Sequence, residues 1–169
     1  MATQERFAQV MRLFADDDQD SRPERAQRYL RLTRLMPRSR NGMLLPGGMP
    51  TLLLIEETQK LFVEGRWLST IFTAYASLMH AAAREHGMRP GCRAIIGYVD
   101  RSVILADMDA NERAEVSEAF EIFDRYWLPQ PPPSPLAFCD DSLARDAERM
   151  FAIIGRYFYR HFAVPQKTD

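Results

Sequence analysis

The last helical pattern of the chain closes on an arginine and a histidine five positions apart, in the string Arg156-Tyr-Phe-Tyr-Arg160-His161. Histidine moves a proton near neutral pH, and arginine stabilises charge on a phosphate under attack. Arg156 and His161 could therefore serve proton transfer beside a phosphate, with Arg160 as a further phosphate ligand. Helix geometry favours a plainer reading. Five residues at 100° each put His161 about 140° away from Arg156 on a continuous helix. His161 instead continues the apolar row Met150, Ile154 and Tyr157, as a partly buried histidine at a helix end would. Arg145, Arg149, Arg156 and Arg160 share a face, which makes this helix the best candidate surface for phosphate. A second series, Arg25, Arg28, Arg31 and Arg34, recurs every three residues and drifts around its helix. Pairing with the nearby Asp16-Asp17-Asp18, or plain solvation, is expected for it.

Other chemistry finds little support. Pro46-Gly-Gly-Met-Pro50 lacks the Lys-Ser/Thr ending of a phosphate-binding loop. His80, His86 and His161 do not combine with Cys92 and Cys139 at metal-ligand spacing, so no metal and no cofactor is expected. The pair Glu56-Glu57 near a helix start is accounted for by the helix dipole. Trp67, Tyr75, Tyr126, Trp127, Tyr157 and Tyr159 could stack bases, but at helical spacing they are read as core or interface.

The elements that must position these groups are helices almost throughout. Phe7, Val10, Met11 and Phe14 mark a short first helix, and Ser21-Arg-Pro23 opens a second that runs to about Met36 before Pro37. Residues 37–50 read as loop. The main body starts with a helical hairpin, 52–64 and 66–86, along the row Leu54, Thr58, Leu61, Gly65, Leu68, Phe72, Tyr75, Met79 and Ala82. Gly65 stands where a C′ glycine ends one helix and lets the next begin. A third body helix is expected from about Arg93 to Ala106. Asp109-Ala-Asn-Glu112 is a capping-box start for a fourth, with Val116, Phe120, Phe123 and Trp127 on its core face. Gln130-Pro-Pro-Pro-Ser-Pro135 is a stiff extended link. The last helix, about Ser142 to Phe162, buries Leu143, Ala147, Met150, Ile154 and Tyr157. The expected fold is an all-α, antiparallel helical bundle over 51–169, preceded by a two-helix extension and linker over 1–50.

The order of these elements, taken with their residues, resembles HEPN-like domains over about residues 51–162. The hairpin Leu52 to Tyr75 looks like the opening helix pair of that family. It is followed by Ile95-Ile-Gly-Tyr-Val-Asp-Arg-Ser-Val-Ile-Leu105, a helix ending in Phe123-Asp-Arg125, a proline-rich loop, and Ser142-Leu-Ala-Arg-Asp146-Ala147 opening the last helix. In active members an arginine with a polar neighbour precedes a histidine, and the pair forms a metal-independent ribonuclease site across a dimer. The matching string here is Arg125-Tyr126-Trp127-Leu128-Pro129-Gln130. Glutamine hydrogen-bonds a nucleotide but cannot act as a general base, so Arg125 and Gln130 are expected to bind rather than cut. An acidic residue frequent late in the family's second helix is matched by His80. The resemblance implies a homodimeric, catalytically degenerate binding or regulatory module in an RNA-linked defence or toxin–antitoxin system. Its partners would be RNA or a nucleotide, or an antitoxin-type protein. The alternatives are a metal-independent endoribonuclease using Arg156 and His161, which repeat the family's spacing in the last helix rather than at the matching position, and a helical protein-interaction module with no nucleotide partner.

Composition sets the frame for these readings. The 169 residues are 46% hydrophobic and 27% charged, enough for the core of one domain. A net charge of −1 argues against a chain that grips nucleic acid over its whole surface. Of 22 basic residues only Lys60 and Lys167 are lysine, as a GC-rich genome would produce. No apolar run approaches the ~20 residues of a membrane span, and Met1-Ala-Thr-Gln-Glu-Arg-Phe7 has no apolar signal core. With two cysteines and no disulfide framework, a cytoplasmic location is expected.

Overall fold

The computed structural model describes residues 21–35, 48–85, 101–127 and 140–162, and every element among them is a helix. We label them α1 (21–35), α2 (Met49–Val63), α3 (Trp67–Glu85), α4 (Arg101–Ala106), α5 (Ala110–Trp127) and α6 (Asp140–Phe162). The expected first helix, the loop 37–47, the first part of the third body helix, the proline-rich link, Gln130 and both cysteines lie outside the described residues.

Helix α3 is the centre of the bundle and packs against α2, α5 and α6. It is buried nearly all round: Ile71, Ala74, Leu78, Ala81 and Ala82 are inaccessible, and Tyr75 and Met79 nearly so. That is what a helix apolar on more than one face must do. The alanines admit close approach of neighbours. The buried hydroxyls of Thr70 and Ser77 donate to the carbonyls of Arg66 and Ala74, so they enter the core with their hydrogen bonds made. Val116, Ala119, Phe120, Ile122 and Phe123 of α5 and Leu143, Ala147, Met150, Ile154 and Tyr157 of α6 close the core around it. All five residues expected inward on the last helix are there.

The α2–α3 turn forms as its glycine predicts. Gly65 has φ of 76°, its N–H reaches the Phe62 carbonyl (3.1 Å), and the Arg66 N–H reaches the Leu61 carbonyl (2.9 Å). These two bonds are the Schellman pattern, which satisfies the last carbonyls of α2. The other end of α2 differs from expectation. The helix begins at Met49, inside the segment read as loop and across the boundary drawn after residue 50. Pro50 sits in the first turn, where a missing N–H breaks no helical hydrogen bond, so it starts the helix rather than excluding it.

Two apolar rows are also corrected. The buried face of α2 is Thr51, Ile55, Thr58 and Phe62, so Leu54 and Leu61 lie to its side. Leu68 and Trp127, expected inward, are 37% and 49% exposed. Both sit at the end of a helix, where the neighbouring element no longer covers the row. Trp127 still packs one face on Phe123, in a stack that continues to Tyr75.

Helix α1 lies against the body. Leu32 joins Phe62 and Phe151 in a small second cluster bordered by Trp67. The Arg28 Nε donates to the Val63 carbonyl (2.7 Å), and its guanidinium lies over the Trp67 ring. Arg31 pairs with Glu148 of α6 at 2.5 Å. Two arginines of the drifting series are therefore tertiary fasteners, with partners across the fold that their local spacing did not announce.

Candidate functional site

The candidate catalytic and phosphate-binding groups lie along the antiparallel seam between α5 and α6. Asp109 caps α5: one carboxylate oxygen accepts the N–H groups of Asn111 and Glu112, both at 2.9 Å. Those backbone bonds, the Glu112 N–H first, hold the Asp109 carboxyl below the ordinary carboxylate range. A complete capping box would return the Glu112 side chain to the cap. Here Glu112, 93% buried, turns to α6 and holds His161 Nε2. The capping signal of the sequence does start α5, and its second half serves another partner.

From that contact a ladder of charges runs along the seam. Arg156 Nε meets one oxygen of Glu115 at 2.8 Å, and Arg160 meets the other at 3.1 Å. One helical turn further along α5, Glu118 takes Arg149 in a two-pronged bond, 2.6 Å on each side. This bond draws the Glu118 carboxyl down and pushes the Arg149 guanidinium up. Near the other end of α5, Arg125 pairs with Asp146 of α6, and the Tyr126 hydroxyl donates to the same carboxylate at 2.7 Å. Burial, then the hydrogen bond to Asp146, push the Tyr126 hydroxyl up. Arg145 turns along its own helix, with Nε on the Asp141 carbonyl at 3.2 Å.

These contacts decide what the sequence pattern left open. Arg156 and His161 do not converge within the chain: each is engaged by a different α5 carboxylate, Glu115 for one and Glu112 for the other. Arg156 and Arg160 do come together, on Glu115. The His161 ring stacks on Tyr157, with centroids 4.4 Å apart, in the partly buried position that its apolar row predicts. To take a proton through Nε2, the imidazole must first leave Glu112. The arginine face of α6 is present as expected, but Arg149, Arg156 and Arg160 meet α5 carboxylates along it. Gln130 lies outside the described residues, so Arg125 is placed here by its bonds to Asp146.

Two further polar constellations were not singled out from sequence. Arg101 of α4 forks onto Asp124 of α5 at 2.5 and 2.7 Å, donates to the Tyr75 hydroxyl at 3.2 Å and lies over the Phe120 ring. The Asp124 bond holds this guanidinium far above its ordinary value, and burial pushes up the Tyr75 hydroxyl. Arg113 then donates to the carbonyls of Leu105 and Met108, closing the α4–α5 connection. In the second, the buried His80 Nδ1 lies 2.7 Å from the Thr51 hydroxyl, joining α3 to the first turn of α2. Where the resembled family has an acidic residue, this histidine is a core group with a polar partner. Arg101 with Asp124 and His80 with Thr51 are each more than twenty positions apart, which helical spacing does not signal.

Among the described residues no group of three or more histidine, cysteine or acidic side chains is placed to hold a metal ion, and no helix is long and apolar enough to cross a membrane. Compared with known proteins, the chain matches no family model, no curated protein and no solved structure.

Proposed function

We propose that this protein is a HEPN-like helical binding or regulatory module without ribonuclease activity, acting in an RNA-linked defence or toxin–antitoxin setting. One observation supports the absence of cleavage: His161 and Arg156, the pair a nuclease site in the last helix would need, are engaged by separate α5 carboxylates. The setting rests on the resemblance of residues 51–162. In this reading the α5–α6 ladder fixes the register of the two helices, and the module works through the surfaces around it. Incubating the full chain with labelled RNA in EDTA tests it. No cleavage is expected from wild type, and His161→Ala changes nothing. Cleavage that His161→Ala abolishes overturns the proposal.

The metal-independent endoribonuclease remains the second reading, because His161, Arg156 and Arg160 do share one end of the α5–α6 seam. It requires substrate phosphate to displace Glu115 from the two arginines and His161 to leave Glu112. Glu112→Gln and Glu115→Gln would then raise cleavage, whereas the binding-module reading expects none from either variant.

RNA, a nucleotide and an antitoxin-type protein are the candidate partners of the module. Retention on immobilised RNA that falls steeply with salt favours the first. Arg149→Met together with Arg160→Met weakens such retention if the α6 face provides it. Passage through the column at physiological salt favours a protein partner.

A further inference from the structure

An open groove of about 800 Å³ runs between α1 and α2. Ala26, Tyr29, Leu30 and Leu32 of α1 and Gln59 and Val63 of α2 line it. Leu32 is buried as its floor, whereas Tyr29 and Leu30 are 57% and 59% exposed. By helix periodicity the α2 side continues from Glu56 to Leu53 and Met49, which are 56% and 65% exposed. Large apolar side chains exposed next to one another mark a surface that is covered in use.

The charges beside the groove select what covers it. Over residues 21–35 the chain carries five arginines and one glutamate. Over residues 49–64 it carries three glutamates and one lysine. Arg25 stands on the α1 side of the groove, and Glu56, Lys60 and Glu64 on the α2 side, which is acidic on balance although Glu64 also meets Arg66 at 3.1 Å. A partner helix with a single sign of charge meets repulsion at one edge or the other. A second copy of this chain carries the matching pair of edges. Helix α1 runs antiparallel to α2, with its start beside the turn Glu64–Trp67. A twofold axis along the groove therefore lays α1 of each copy over α2 of the other, base against acid, with Tyr29 and Leu30 inside. The alternative axis, across the groove, lays α1 on α1 and sets arginines against arginines. A net charge of −1 adds almost no long-range repulsion between copies.

We infer that this groove is a self-association face, through which two copies form a twofold dimer by packing α1 of each on α2 of the other. The inference is independent of whether the protein binds or cuts RNA. It uses α1, which lies outside the span of the resemblance.

The oligomeric state of the full chain tests it, by sedimentation equilibrium across micromolar to sub-millimolar concentration. Wild type is expected at twice the chain mass of 19.5 kDa. Leu30→Glu places a charge at the centre of the face and raises the dimer Kd at least about tenfold. Leu30 is mostly exposed, so helicity by circular dichroism is expected to stay unchanged. Trp127→Glu, on another face, leaves the dimer intact. Arg25→Glu and Glu64→Arg each weaken the dimer several-fold, and an equimolar mixture of the two recovers wild-type affinity, because both symmetry-related contacts are restored in the mixed pair. Wild type that stays monomeric throughout overturns the inference and leaves the groove to residues 1–20 or to a different protein. A dimer unaffected by Leu30→Glu, or a mixture no tighter than its components, overturns it as well.

Discussion

Gly65 shows how much one residue type can settle. Its φ of 76° belongs to the left-handed region that residues with a Cβ avoid, and both Schellman bonds depend on it. A Cβ there would also stand 3.3 Å from the Arg28 guanidinium carbon, the mobile end of a long side chain that yields readily. Gly65→Ala is therefore expected to cost roughly 1–2 kcal/mol, nearly all of it backbone, read as a lower midpoint in urea. Asp109 is as legible. Its carboxyl is held below the ordinary range by backbone N–H groups, so the cap stabilises the fold at neutral pH and loses that contribution as pH falls through the depressed titration. Asp109→Ala is expected to lower the Tm by a few degrees near neutrality and to differ little from wild type in acid. Asp109→Asn, an equally good cap, stays close to wild type at neutral pH. Thermal melts over a pH series check both.

At the scale of elements, opposite charges spaced along α5 and α6 lock the register of the seam. Exposed ion pairs contribute about 0–1 kcal/mol each, so the ladder sets alignment more than it adds stability. The apolar contacts beneath it carry the stability. Phe151 is 2% exposed and joins α6 to Phe62 of α2 and Leu32 of α1. Phe151→Ala is expected to cost about 3–5 kcal/mol in chemical denaturation. Amide exchange should speed first along α1, whose apolar anchoring runs through this cluster. The row through Leu54, Thr58 and Leu61 meets the buried face of α2 at Thr58 and misses it by one position at the two leucines. Leucine is as apolar as isoleucine or phenylalanine, and a helix rich in apolar residues has no sharp polar edge from which to choose. The start of α2 is not legible from pattern for a related reason, since proline marks both loops and first turns and its neighbours do not distinguish the two.

For the whole molecule, the consequence is a division between a face occupied by its own ion pairs and a face left apolar. Histidine and arginines that pattern alone could place in a nuclease site are spent along the α5–α6 seam. Tyr29 and Leu30, which carried no signal in the sequence, stand at a groove. If the ladder were a latent phosphate site, Glu115→Gln would release two guanidiniums and raise RNA retention. Because Glu115 holds both Arg156 and Arg160, the expectation here is a modest gain of non-specific, salt-sensitive binding and still no cleavage. Filter binding at low and physiological salt, run beside a cleavage assay, reads the two effects separately.

The amino-acid order by itself determined the all-helical class, the turn at Gly65, the cap at Asp109 and the inward row of α6. Each depends on residues within a few positions of one another, where backbone sterics and helical period leave one low-energy answer. Whether Arg156 and His161 meet, which carboxylate takes which guanidinium, and that Arg101 forks onto Asp124 were decided only by the tertiary structure. Those contacts join residues 21 to 49 positions apart. A side chain's reactivity follows from the charge seated beside it, and only packing one helix against another chooses that neighbour.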